Sequence, residues 1–174
     1  QYSDRAEEFT ATYESLTFEQ VHQQVLDLIP NKGSAVLDVG AGSGRDAAWF
    51  AQRGCDVVAV EPAQGMLDKG RKTHPEPQIN WVQDSLPNLT ETIKLGLSFD
   101  LILLSAVWMH IGPNEKQRAF RKLAALLRPG GMLIISLRTG EFSDGRQSYP
   151  VALGELEKLA RDRGLVLVRL CQSE

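Results

Sequence analysis

One stretch limits what this chain can become: Val36-Leu37-Asp38-Val39-Gly40-Ala41-Gly42-Ser43-Gly44-Arg45-Asp46-Ala47-Ala48-Trp49-Phe50-Ala51. An apolar run, broken only by Asp38, ends in three closely spaced glycines and passes straight into helix-forming residues. The apolar part reads as a parallel strand covered on both faces. Glycines there let the backbone turn sharply and approach a ligand, and the helix behind them presents its N-terminal N–H groups. Two cofactor classes use such a unit, dinucleotides and S-adenosylmethionine. The dinucleotide pattern G-x-G-x-x-G needs a third glycine where this chain has Arg45. Asp38, two residues before the first glycine, would repel a pyrophosphate but suits a ligand carrying an ammonium and a sulfonium.

Val36 to Gly44 resembles the first motif of class I S-adenosylmethionine-dependent methyltransferases (hydrophobic-hydrophobic-Asp-hydrophobic-Gly-x-Gly-x-Gly), and Gly-Ser-Gly-Arg-Asp is similar to small bacterial members acting on small molecules. The resemblance covers nearly the whole chain. It implies one S-adenosylmethionine-binding domain over residues 1–174, a Rossmann-like three-layer α/β/α sandwich with a mostly parallel sheet of order 3-2-1-4-5 plus a sixth strand. It also implies that Gly40, Ala41, Gly42 and Gly44 line the cofactor, and that residues 1–30 form a helical lid over its methionine end. Tyr2 and Tyr13 are candidates for the cofactor's carboxylate there, or aromatics that pack the lid onto the sheet.

Composition agrees with one soluble domain. The 174 residues are 43% hydrophobic and 24% charged, with a net charge of -3 that gives no reason to expect a nucleic-acid partner. Cys55 and Cys171 have no metal-ligand spacing, and no apolar run approaches a membrane span. The expectation is a cytoplasmic protein without metal or membrane partner.

Along the chain, the first helix over Ala47 to Arg53 closes at Gly54, and a second strand runs from Cys55 to Glu61. Glu61 falls seventeen residues after Gly44, at a strand end beside the glycine turn, where a carboxylate can accept both ribose hydroxyls. Pro62 opens the next helix, and by the resemblance Pro62 and Met66 meet the cofactor, with Met66 against the adenine; a core-facing methionine reads equally well. Gln78 to Leu86 reads as a short edge strand. The resemblance gives Asp84 the adenine amino group and Ser85 or Leu86 a backbone N–H for the ring, while a capping Asp near Pro87-Asn88 is the other reading.

The unbroken apolar run after Ser98 marks a central strand, with Ser105 and Ala106 at its ligand-binding end. By the resemblance the Ser105 carbonyl accepts from the cofactor's amino group, and Trp108 and His110 follow on the acceptor side. His110 is a candidate base or a satisfied structural group. The base-modifying branch of the family carries Asn- or Asp-Pro-Pro-aromatic here, where this chain reads Ser-Ala-Val-Trp, which argues against methylating nucleobase amino groups.

Asn114 with Gln117 reads as a capping box for a helix through Leu127, and Leu127-Arg128-Pro129-Gly130-Gly131 matches the family's entry into the fifth strand. Arg138 to Pro150 reads as the substrate loop, with Arg138, Arg146 and Tyr149 as contacts. Val151 to Arg163 is then helical and Leu165 to Leu170 a sixth strand. The family's antiparallel seventh strand has no counterpart, so the expectations are a fragment of a longer polypeptide, a sixth strand that pairs differently, or an open edge prone to self-association. Two other functions remain at this point: an S-adenosylmethionine-binding module without catalysis, and an NAD(P)-dependent oxidoreductase.

Overall fold

The computed structural model describes residues 22–137, 149 and 151–170. Five parallel strands form one sheet: β1 (Ala35–Val39), β2 (Asp56–Val60), β3 (Ile79–Val82), β4 (Phe99–Ser105) and β5 (Leu127–Ser136), in the order β3-β2-β1-β4-β5. The helices are α1 (Arg45–Gln52), α2 (Gln64–Thr73), α3 (Thr90–Lys94), α4 (Lys116–Leu126) and α5 (Leu153–Asp162). Short 3₁₀ turns cover Gln23–Leu28 and Trp108–His110.

Alternation along the strands sorts side chains into two cores. Val36, Val57, Ala59, Leu101 and Leu103 meet Ala47, Phe50 and Ala51 of α1, with Val25, Leu26 and Ile29 packed on from the first 3₁₀ turn. Leu37, Val39, Val58, Ile102 and Leu104 meet Ala119, Phe120 and Leu123 of α4 on the other face. Phe99 joins this second core although it shares parity with Leu101. The ladder explains it: the β4–β5 pairing jumps from Phe99↔Leu127 to Leu101↔Met132, so Arg128 to Gly131 loop out and the register breaks at Phe99.

Trp81 of β3 fills a space that two glycines leave open. A Cβ on Gly44 would lie 2.5 Å from the indole, and one on Gly70 of α2 would collide with the same ring. Gly70→Ala should therefore lower stability by about 1–2 kcal/mol, because overpacking outweighs the helix preference of alanine. Urea unfolding checks this, and Trp81→Leu should remove most of the penalty.

Four sequence expectations need correction. Leu165 to Leu170 is not a strand: only Leu165 packs on the second core, while Val166 is 83% exposed and Leu167, Val168 and Leu170 also face solvent. Side-chain bonds hold the segment in place of a ladder. Arg169 forks onto Asp27 at 2.6 and 2.7 Å and reaches the Gln24 carbonyl at 3.1 Å, tying the segment to the first 3₁₀ turn and leaving β5 as an edge among the described residues. No antiparallel strand occurs among the described residues. The capping box also fails: α4 begins at Lys116 behind Glu115, with no side-chain cap, because the Glu115 N–H closes the turn on the Gly112 carbonyl. The third correction concerns β3, which ends at Val82, so Asp84, Ser85 and Leu86 lie in the loop behind it. Residues 1–21 of the expected lid, with Tyr2 and Tyr13, and the loop residues Arg138 and Arg146 lie outside the described residues, while the end of the lid is the 3₁₀ turn over Gln23–Leu28 rather than an α-helix.

Candidate cofactor site

The site forms where β1, β2 and β4 end. Leaving β1, the chain passes through Gly40, Gly42 and Gly44 at φ values of 78°, 58° and 97°, a left-handed region that side-chain-bearing residues rarely hold. The N–H groups of Gly40 and Ala41 both donate to the Val60 carbonyl at 2.8 Å, which fastens the turn to the end of β2. Gly40 also packs against Val107 beyond β4, since a Cβ there would strike the valine methyl.

Glu61 completes the turn. It is 3% exposed, and its Oε1 accepts the Gly42 N–H at 2.9 Å while Oε2 accepts the Ala63 N–H at 2.8 Å. Each carboxylate oxygen has a second lone pair, so two vicinal hydroxyls can be accepted without breaking either bond. The spacing from Gly44 found this residue; the hydrogen bond to Gly42 was not legible in the sequence.

Asp38 lies beneath the same turn, 1% exposed, and its Oδ2 has no hydrogen-bond partner among the described residues. Burial pushes its carboxyl well above the usual carboxylate range; the charges of Asp46 and Glu61 push it further, against Arg45. A cation brought beside Oδ2 would favour its ionised form and offset that burial.

Asp46, in the first turn of α1, is a residue that sequence reading passed over. Burial would raise its carboxyl, but the balance goes the other way. His22 at 3.1 Å and Arg45 at 2.9 Å hold it below the usual range by hydrogen bond and charge. An acid directly behind a glycine turn at a helix N-terminus was the available signal.

The remaining expected residues divide. Met66 is fully buried, whereas Pro62 is exposed. Asp84 is committed within its loop: Oδ2 accepts the Thr92 N–H and hydroxyl at 2.8 Å, and Oδ1 accepts the Ser85 N–H at 2.9 Å. That is the capping arrangement. It leaves one lone pair on Oδ1, and it spends the Ser85 N–H, so Leu86 is the remaining backbone donor of the pair.

Ser105 closes β4, and Ala106 stands beyond it at φ 56°. Trp108 is no acceptor contact. It is 1% exposed, edge-on to Phe120 at 6.0 Å in the second core, because the 3₁₀ turn swings its ring inward. Half-buried His110 follows on that turn, and the Tyr149 N–H donates to the Met109 carbonyl at 2.8 Å, so Tyr149 is stitched beside it. A separate cavity of about 400 Å³ between α4 and α5, with Asn114, Lys116, Gln117 and Glu155 in its wall, shares no residue with the glycine turn. No cluster of three metal-ligating side chains occurs among the described residues.

Residues 36–131, more than half of the chain, match the family model described as a methyltransferase domain. The chain belongs to that family. This methyltransferase domain is 38% identical over 132 residues to the biotin biosynthesis bifunctional protein BioHC of Cellvibrio japonicus, covering 72% of this chain and 25% of that protein. In three dimensions it is similar to a TehB-like SAM-dependent methyltransferase from Corynebacterium glutamicum, with a TM-score of 0.70 at 19% identity over 92% of this chain and 83% of that one. It is also similar to magnesium protoporphyrin IX methyltransferase (ChlM) from Synechocystis with bound SAM, with a TM-score of 0.67 at 22% identity over 88% of this chain and 76% of that one. The methyltransferase domain spans half or less of the length of the first curated relatives it matches, between 25% and 49%.

Proposed function

We propose that this domain binds S-adenosylmethionine at the glycine turn and transfers its methyl group to a nucleophile on a small molecule. When bound, that cofactor supplies an already activated methyl group, which leaves the sulfonium by in-line displacement. The single observation that carries the reading is the buried Glu61 carboxylate bonded to the turn through Gly42. It presents a preformed acceptor pair for ribose hydroxyls, while Asp38 below it offers a buried carboxyl for the methionine ammonium. Asp38 is the acid that fits the cationic cofactor and opposes a pyrophosphate, whereas Glu61 would serve the ribose of either cofactor class. Oδ1 of Asp84 and the Leu86 N–H take the adenine edge, and the Ser105–Ala106 backbone borders the methionine end.

The protein's work is binding, orientation and exclusion of water, so no single general base is required. We take His110, Tyr149 and Arg138 as the residues that would meet an acceptor beyond the sulfonium. A small-molecule acceptor is supported by the net charge of -3 and by Ser-Ala-Val-Trp in place of a nucleobase-holding motif. No helix among the described residues is long and apolar enough to cross a membrane, which accords with a cytoplasmic setting. The β5 edge, unpaired among the described residues, and the exposed Val166 to Leu170 run favour contact with a second chain.

Titration calorimetry tests the reading. The protein should bind S-adenosylmethionine and S-adenosylhomocysteine and show no heat with NAD or NADP. Binding of a dinucleotide in their place would overturn it. Because the chain spans only part of its curated relatives, a binding module without catalysis is the second reading. Methyl release from labelled cofactor in the presence of metabolite extracts separates the two.

A further inference from the structure

We propose that Ser136, the last residue of β5, is a positioning residue for the cofactor site. It clamps Ala106 in a left-handed conformation and so fixes the wall that β4 turns toward the glycines. This rests on the reading that the turn holds S-adenosylmethionine. Ala106 is an L-residue with a Cβ, yet it sits at φ 56°, a conformation that persists only where surrounding bonds impose it. The imposing bonds come from one residue. The Ala106 N–H donates to the Ser136 carbonyl at 3.1 Å and to the Ser136 hydroxyl oxygen at 3.2 Å. The hydroxyl in turn lies 3.5 Å from both the Leu104 carbonyl and the Ser105 hydroxyl, so its proton has an acceptor on β4. Ser105 and Ser136 are the last pair of the β4–β5 ladder, which makes Ala106 the first residue without a ladder partner.

What Ser136 fixes is transmitted to the turn by contact. Val107 follows Ala106 and presses against Gly40, close enough that no side chain fits at that glycine. On the far side Trp108 is held in the second core against Phe120. The Ala106–Val107 segment is thus gripped at both ends, by a core tryptophan and by a serine. Only the serine grip depends on a single hydroxyl. Serine is short enough for its hydroxyl to accept from a cross-strand N–H one residue past the last ladder pair. Without that hydroxyl, Ala106 keeps only the Ser136 carbonyl as acceptor and is held less firmly in the left-handed region, so Val107 can shift against the first glycine of the turn.

The test uses calorimetric affinity for S-adenosylmethionine in Ser136→Ala, Ser136→Thr, Ala106→Gly and the Ala106→Gly/Ser136→Ala double variant, with circular dichroism to confirm folding. Ser136→Ala should weaken binding about five-fold, the scale of one lost hydrogen bond. Ser136→Thr, which keeps the hydroxyl on a strand-favouring residue, should stay within about two-fold of the wild type. Glycine adopts the left-handed region freely, so in the Ala106→Gly background Ser136→Ala should cost less than about two-fold. Unchanged affinity in Ser136→Ala, an equal loss in both backgrounds, or a loss that threonine does not restore would each overturn the clamp while leaving the cofactor reading intact. A wild-type protein that does not bind S-adenosylmethionine overturns the cofactor reading itself, and the clamp's role with it.

Discussion

Replacing Glu61 by alanine is expected to weaken S-adenosylmethionine binding on the order of 100-fold and to destabilise the cofactor-free protein by about 2–4 kcal/mol. Both effects have one cause. The carboxylate accepts the Gly42 and Ala63 N–H groups at 2.9 and 2.8 Å, so truncation leaves two backbone donors without their acceptor at the moment it removes the seat for the ribose. Glutamine should recover little, because one of its two ends is an NH₂ group that faces an N–H donor. Calorimetry gives the affinity and urea unfolding the stability. An alanine variant that folds and binds normally would remove Glu61 from the site.

Asp38→Asn should act in opposite directions on the two properties. In the cofactor-free protein its carboxyl is raised by burial, then by Asp46 and Glu61. The native state therefore keeps a proton that the unfolded chain has lost, and stability falls as pH rises through the interval between the ordinary carboxylate range and the raised value. Asparagine cannot ionise, so the variant should be more stable than the wild type by about 2 kcal/mol above that interval, the scale of an unsatisfied buried charge. The gain should vanish in acid. Affinity for S-adenosylmethionine should drop, and drop more than for an analogue lacking the methionine amino group. Thermal melts at several pH values check the first half and paired titrations the second; equal losses for both ligands would make Asp38 structural.

The sheet order was legible only through the family resemblance, which the glycine turn and the Leu-Arg-Pro-Gly-Gly entry carry; the apolar runs by themselves marked strands and not their neighbours. The positions of Asp38, Glu61 and the glycines at the ends of β1 and β2 were legible because buried apolar runs mark where strands end. What could not be read depends on contacts between distant segments. The His22–Asp46 pair joins residues 24 apart, and Ser136 reaches Ala106 from a neighbouring strand. Trp108 was misread because position beside a ligand-binding strand says nothing about which way a 3₁₀ turn directs its ring. Leu165 to Leu170 was misread because β-propensity reports side-chain type and not the presence of a partner.

The indole of Trp81 beneath Gly44 and Gly70 also constrains how related sequences can diverge. Gly44 is bound twice, by its φ of 97° and by the ring below it, and so should stay glycine whatever occupies position 81. Gly70 lies within a regular helix and is bound only by the ring. Among homologues, positions 70 and 81 should therefore co-vary as a small–large pair: alanine or serine at 70 should accompany leucine, valine or another smaller residue at 81, while position 44 shows no such exchange.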